Sequence, residues 1–299
     1  MKQLTTNSIL LILFVLPFLC SGFSSSASNL PSKSEKQIIN LEVPDDKDIK
    51  VLRRKINGKV PARSRTVFIG TEEIDRITTW ELESPSKLMQ LWWDADLDPS
   101  AVVKKEKIAD PFGTVVWPGS ILASKELIQH KDQIANFTVL VLGCGTGVEA
   151  QAAALLGAKK VIALDISKLT LRLLKFGCEQ AGVDDVVEPT LFDLFSDQPL
   201  PDCDVMVAAD VLYNEELAAQ IGKRVTEVLR RNIPPVILVT DSQRFAGTDF
   251  LPDVNKNFPD QDPLDWSFFE LKNFRGSGVM MDTDQTYDAT TRMISINWQ

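Results

Sequence analysis

The sequence predicts an α/β fold: a doubly wound sheet of seven strands that ends in an antiparallel carboxy-terminal hairpin, with a small amino-terminal accessory segment. Three observations lead there. From Asn136 onward short apolar runs alternate with helical stretches, the pattern of parallel strands joined by crossover helices. Gly143, Gly145 and Gly147 stand where the first of these runs gives way to a helix. Beyond Thr240 the alternation breaks, and two strand-like runs follow with no apolar helix between them, so they should pair antiparallel.

The elements follow in order. Thr138 to Leu142 is apolar after its first residue, as a strand buried on both faces should be. Gly147 to Leu156, rich in alanine and ended by Gly157, reads as a helix. Val161 to Leu164 is the second strand. Ser167, an N-cap type of residue, then opens a helix that carries Leu169, Leu173, Leu174 and Phe176 and stops at Gly182. Val186 to Phe192 and Asp204 to Ala209 read as strands three and four, and Glu215 to Arg231 as an amphipathic helix. Pro234 and Pro235 stop that helix before a fifth strand, Val236 to Thr240. A loop rich in proline and aspartate is expected from Ala246 to Asp265, then strands at Trp266 to Leu271 and Met293 to Trp298. Upstream, Thr66 to Ile69 and Ile77 to Leu82 predict an accessory hairpin.

Composition narrows the function classes. With 299 residues, 44% hydrophobic and 24% charged, the chain can bury a core, which excludes a disordered or fibrous protein. Its net charge of -9 repels phosphate backbones, so no nucleic-acid partner is expected. One histidine, His130, and four cysteines exclude a histidine metal cluster and a disulfide framework. A histidine-dependent nucleophile would have to rest on His130 alone. Seven basic residues fall between Lys50 and Arg65, but acids flank them on both sides, and the expectation is a solvated surface of mixed charge.

The amino terminus reads as an address. Lys2 precedes an apolar run, Ile9 to Leu19, that is too short to span a bilayer and suits a secretory signal, residues 1–22. With that segment cleaved, no stable membrane anchor is expected in the mature chain. Residues 23–40 open with Phe23, are rich in serine and are poor in acids in their first part, a transit-like composition. The two parts together resemble the presequence of algae with complex plastids, and plain secretion is the competing reading. Residues 41–111 form the accessory segment and 112–299 the main domain.

The chemistry-bearing residues cluster at one end of the predicted sheet. The glycines after Leu142 allow unusual torsions and let a ligand approach bare backbone. A dinucleotide fingerprint is G-x-G-x-x-G; here the third glycine comes one residue early and Val148 holds the expected place. Asp165 closes the second strand 22 residues after Gly143, the interval of an acid that accepts ribose hydroxyls. It could equally cap the helix opening at Ser167. Asp193 ends the third strand at the same rim, where it could accept from an exocyclic amine or form a turn before Leu194.

These residues resemble a known family. Gly143-Cys144-Gly145-Thr146-Gly147, Asp165, Asp193 and Ala209-Asp210-Val211-Leu212-Tyr213 resemble the motifs of the seven-β-strand S-adenosylmethionine-dependent methyltransferases, whose sheet is Rossmann-like. Within them the chain is similar to the lysine methyltransferase-like family 16 group. Val116-Trp117-Pro118-Gly119-Ser120 resembles that group's tryptophan segment, and Asp210-x-x-Tyr213 its acid-x-x-Tyr motif. The resemblance runs from about Phe112 to Trp298. It implies S-adenosylmethionine as cofactor, with Gly143, Gly145 and Gly147 near its methionine part, Asp165 on the ribose, Asp193 and Leu194 beside the adenine, and Trp117 and Ala209 in the pocket wall. It also implies that Asp210 and Tyr213 face the methyl acceptor, a lysine of a protein substrate. Trp117 as a core anchor and Tyr213 as a packing residue at a helix start are the structural alternatives. Upstream of Phe112 the sequence carries no motif that resembles those of the family, which leaves the choice of substrate open. A small-molecule methyltransferase, a nicotinamide-dependent reductase and a non-catalytic scaffold are the competing functions, and the shortened glycine spacing disfavours the reductase.

Overall fold

The computed structural model describes residues 38–42, 59–90, 111–242, 248–276 and 282–298. The expected signal segment 1–22 and all of the transit-like segment before Ile38 lie outside them, as do Lys50, Arg53, Arg54 and Lys55 of the basic run.

Strands β1 (Ile38–Glu42), β2 (Lys59–Phe68) and β3 (Arg76–Leu82) form an antiparallel sheet in the order β1-β2-β3. The accessory hairpin is thus present, with β2 longer than expected and with a third strand. Residues 38–40, the end of the transit-like segment 23–40, lie in that strand, where the main chain of Ile38 to Glu42 pairs with Arg63 to Lys59.

The main sheet begins after helix α1 (Pro118–Gln129). It alternates β4 (Thr138–Leu142), α2 (Val148–Leu155), β5 (Lys160–Asp165), α3 (Lys168–Ala181), β6 (Val187–Leu191), β7 (Val205–Ala209), α4 (Glu215–Leu229) and β8 (Val236–Asp241). Helix α5 (Leu251–Asn257) and the hairpin β9 (Ser267–Gly276) and β10 (Gln285–Ile296) complete it. Strand order is β6-β5-β4-β7-β8-β10-β9; β4 to β8 are parallel, and β10 runs antiparallel to both β8 and β9. The seven-stranded, doubly wound α/β sheet and its antiparallel ending are as the sequence predicts. Two helices differ from expectation. Helix α1 follows the Trp117 segment without having been foreseen, and α5 interrupts the loop expected from Ala246 to Asp265.

Period-two alternation in the central strands builds two cores. Val139, Val141, Val161, Ala163, Val205 and Val207 face α1, α2 and α3, whereas Leu140, Leu142, Leu164, Met206 and Ala208 face α4 and α5. Helix α3 is capped as its sequence indicates: Ser167 accepts a hydrogen bond from the Thr170 amide, and Gly182 at φ 68° ends the helix.

The accessory sheet packs on this body and belongs to the compact unit Lys36–Gln299. Trp80 is buried among Leu82, Leu88, Leu169 and Leu173, and its indole nitrogen donates to Gln180 at 2.7 Å. Arg63 and Arg65 are buried, which corrects the expectation of a solvated basic surface. Glu81, fully buried on β3, lies 2.7 Å from Arg63 and 2.6 Å from Arg65, and Asp284 lies within 3.0 Å of both. Burying these guanidinium groups is tolerated because each meets carboxylates.

Candidate active site

The carboxyl ends of β4, β5, β6 and β7 meet at a cavity of about 250 Å³. This is where ligands of open parallel sheets bind, and its size is near the lower end of small-molecule sites, roughly 300 Å³. Because β4 lies between β5 and β7, the glycine loop occupies the middle. Asp165 and Asp193 flank it on one side, and Ala209, Asp210 and Tyr213 on the other.

The loop adopts the conformations that its glycines permit: φ is 61° at Gly143, 51° at Gly145 and 78° at Gly147. Gly143 and Gly145 line the cavity, but Gly147 does not appear in its wall. It precedes α2, and a Cβ there would collide with the Leu174 side chain, so its bareness serves packing against α3. The expectation that Gly147 borders the cofactor is therefore not supported by its position. Across the cavity Gly113 faces Gly145, and a Cβ on Gly145 would come 3.5 Å from the Gly113 carbonyl oxygen. Two stretches of bare main chain thus oppose each other. The Thr79 hydroxyl of β3 donates to the Thr146 carbonyl at 2.5 Å, so the accessory sheet holds the loop from outside.

Asp165 is largely buried at the end of β5. Its Oδ2 accepts from the Gly145 amide at 3.1 Å and its Oδ1 from the Ser167 amide at 2.8 Å. These bonds fix the carboxylate at the cavity wall, where it presents acceptor oxygens to a ligand hydroxyl. Asp193 is exposed and forms the turn that the sequence offered as an alternative, accepting from the Phe195 amide at 2.9 Å, yet it also lines the cavity. The Leu194 carbonyl accepts from Gln220 and Arg224 of α4, which sets the position of its side chain at the rim.

On the other side Asp210 holds φ 55° and is buried. Its Oδ2 accepts from the Gly119 amide at 2.5 Å, and its Oδ1 accepts from the Ser242 amide at 2.7 Å and hydroxyl at 2.6 Å. The carboxylate expected to face the acceptor thus joins the start of α1 to the ends of β7 and β8. Gly119 fits because a Cβ there would lie 2.6 Å from Asp210 Oδ2.

Phe112, Gly113 and Glu216 are among the lining residues that sequence reasoning did not assign to the site. The Phe112 ring lies tilted at 5.0 Å from Tyr213 and 6.3 Å from Trp117, and its carbonyl accepts the Trp117 indole N–H at 2.7 Å. Gly113 and Glu216 also line the cavity. A signal for the first two existed in the aromatic-glycine pair just before the Trp117 segment. Behind the wall Glu149 is buried at the start of α2. Burial pushes its carboxyl up to about 7, against hydrogen bonding from its own backbone and Ser120, and the charges of Asp210 and Asp165 push it further up. Burial also raises the Cys144 thiol well above its usual range, so Cys144 is an inert wall residue.

Four carboxylates, Asp165, Asp193, Asp210 and Glu216, line the cavity, and no lysine or arginine does so among the described residues. The electrostatics therefore favour cations. S-adenosylmethionine, a cationic nucleoside, fits this donor set: Asp165 would accept from a sugar diol, Phe192 and Leu194 would offer apolar contact to a base, and the bare main chain of Gly143 and Gly145 in the wall would let the amino-acid part approach.

Comparison with known proteins agrees. Residues 96–257, more than half of the chain, match the family described as lysine methyltransferase. The human electron transfer flavoprotein beta subunit lysine methyltransferase is 30% identical over 43% of this chain and 46% of its own length. The ribosomal protein L11 methyltransferase of Shewanella sp. strain ANA-3 is 37% identical over 46% of this chain and 47% of its own. The chain spans about half the length of the curated relatives it matches. Among solved structures, an O-methyltransferase from Bacillus cereus is similar with 14% identity and a TM-score of 0.40, covering 70% of this chain and 89% of that one. The chain belongs to the lysine methyltransferase family, whose methyl donor is S-adenosylmethionine.

Proposed function

We propose that this chain is an S-adenosylmethionine-dependent methyltransferase that N-methylates a lysine side chain of a protein. The observation that carries the reading is the continuity of one cavity from the bare glycine loop and Asp165 to an acidic and aromatic end, with no basic residue among the described residues that line it. Both curated relatives described above are named for modifying proteins, which supports a protein acceptor.

Bound in this cavity, S-adenosylmethionine supplies an electrophilic methyl group, so the protein's task is alignment. Asp165 binds the sugar and Trp117 bounds the pocket. Glu216, at the mouth, attracts the ammonium of an incoming lysine. That ammonium, with an ordinary pKa of about 10.4, must lose its proton before it can attack, and desolvation among Phe112, Trp117 and Tyr213 favours the loss to water. Tyr213 orients the amine through its ring and hydroxyl. Asp210 acts through others: it anchors α1 and so positions Trp117 and Ser120.

The test is incubation of the protein with radiolabelled methyl donor and an organellar lysate, followed by gel separation and hydrolysis. Label recovered as methyl-lysine from a protein band supports the reading. Label confined to the small-molecule fraction replaces it with a metabolite methyltransferase.

Residues 1–22 and the serine-rich stretch after them support a further part of the proposal, entry into the secretory route and delivery to a complex plastid. Fusing residues 1–40 to a fluorescent protein in such an alga tests it, and a secreted reporter overturns the plastid destination.

A further inference from the structure

We infer that Phe112, Trp117 and Tyr213 form an aromatic wall that selects methylated lysine over unmodified lysine, with Phe112 as the specificity-determining residue; the inference rests on the acceptor site proposed above. The three rings line one cavity, and Phe112 is the central one, 5.0 Å from Tyr213 and 6.3 Å from Trp117. Its carbonyl takes the indole N–H of Trp117, which ties the two rings together through main chain as well as side chain. Met89 and Val115 pack against Phe112 and Trp117, and Val115 also lines the cavity, so the wall has an apolar support.

The chemistry of this end favours an alkylated cation. Ring faces attract cations, and quaternary or methylated ammonium groups gain most, because they give up little hydration on leaving water. An unmodified ammonium needs acceptors for three N–H groups. Asp210, the buried carboxylate at this end, already accepts three hydrogen bonds from Gly119 and Ser242, and Glu216 is exposed. Ser120 and Asn214, whose Oδ1 accepts from the Leu217 amide, are the other polar side chains at this end among the described residues, so three rings face an ammonium with little carboxylate capacity beside them. Each methyl added removes an N–H that the site satisfies poorly and adds surface that the rings hold well, so the preference of the wall is greatest for trimethyl-lysine, which has no proton left to lose.

Calorimetric titration of the full chain, saturated with S-adenosylhomocysteine, tests this with three probes: Nε-trimethyl-lysine, lysine, and the lysine analogue in which a tert-butyl carbon replaces the trimethylammonium nitrogen. The expected result is roughly ten-fold tighter binding of trimethyl-lysine than of either other probe. Phe112→Leu should abolish that preference and Phe112→Tyr should retain it. Tyr213→Leu provides a second ring-removing variant should Phe112→Leu fail to fold. Equal affinities for the three probes, no binding of trimethyl-lysine at millimolar concentration, or a preference that survives loss of the ring each overturn the aromatic wall and leave the methyltransferase reading intact. Failure of S-adenosylhomocysteine itself to bind overturns the methyltransferase reading, and the wall's assigned role with it.

Discussion

At the scale of single residues, two buried acids on either side of the glycine loop are set to opposite tasks by their surroundings. Asp165 accepts two main-chain hydrogen bonds and faces the cavity, so its replacement removes a charged acceptor from the ligand. Charge-assisted hydrogen bonds contribute roughly 1.5–3 kcal/mol, and Asp165→Ala is expected to weaken S-adenosylmethionine binding at least ten-fold by calorimetry. Unchanged affinity would remove Asp165 from the site. Glu149 has the reverse environment, fully enclosed and with Oε2 unpartnered among the described residues. Its carboxyl titrates near 7 in the folded chain and near 4.5 when unfolded. Between those values only the unfolded chain gives up the proton, so this group makes stability fall as pH rises through the window. Above it a deficit of roughly 3 kcal/mol persists, from about 1.4 kcal/mol for each unit between the two values. Glu149→Gln cannot ionise. Urea unfolding from pH 4.5 to 8 should show the variant overtaking the natural protein as pH rises, and parallel curves would show that Glu149 is already charged in the fold.

At the scale of elements, the site depends on α1 meeting the ends of β7 and β8 through Gly119 and Asp210. An alanine is normally better than glycine inside a helix by about 1 kcal/mol, yet at Gly119 its Cβ would press on the Asp210 carboxylate, which Ser242 holds in place, and on the Asp210 amide at 3.2 Å. Gly119→Ala is therefore expected to lower stability by roughly 1–3 kcal/mol, the usual range for overpacking. A rise in the urea midpoint would show that propensity wins and that Asp210 is free to move. The same helix shows why some elements were hidden in the sequence. The strands β4 to β8 were legible because buried parallel strands are short apolar runs, and α3 because Ser167 and Gly182 mark its ends. Helix α1 buries Pro118, Gly119, Ile121, Ala123, Ser124, Leu127 and Ile128 around much of its circumference, so no polar stripe announces it, and its Pro-Gly start reads as a turn. Helix α5 is a short segment inside a stretch whose proline and aspartates signal a loop. In the site, Asp165 and the glycine loop were legible because their spacing is local. Phe112 was not, because its partner Tyr213 is brought to it only by the fold.

At the scale of the whole molecule, the accessory sheet and the carboxy-terminal hairpin are joined through charges that are largely buried. Arg63 and Arg65 of β2 meet Glu81 of β3 and Asp284, which directly precedes β10, while Asp282 accepts from the Ser86 amide and hydroxyl. The amide of Val116, next to Trp117, also reaches Glu81 at 3.4 Å, which links this network to the wall of the cavity. Alternating buried arginines on β2 break the apolar pattern, which is why the sequence showed only the last part of that strand and read its basic residues as solvated. Their partner Asp284 lies more than two hundred residues away, and no local pattern could pair them. Removing one member of a buried ionic cluster leaves the others uncompensated, at roughly 3–5 kcal/mol. Glu81→Gln would leave two buried guanidinium groups sharing Asp284, so a loss of about that size is expected, read from urea midpoints. Glu270→Gln, in an exposed pair with Lys272, is the control and should leave the midpoint unchanged. Because Thr79 of the same β3 strand holds the glycine loop at Thr146, Glu81→Gln should also weaken S-adenosylmethionine binding although Glu81 lies outside the cavity wall. Loss of stability with full cofactor affinity would show that the accessory sheet braces the fold without shaping the site.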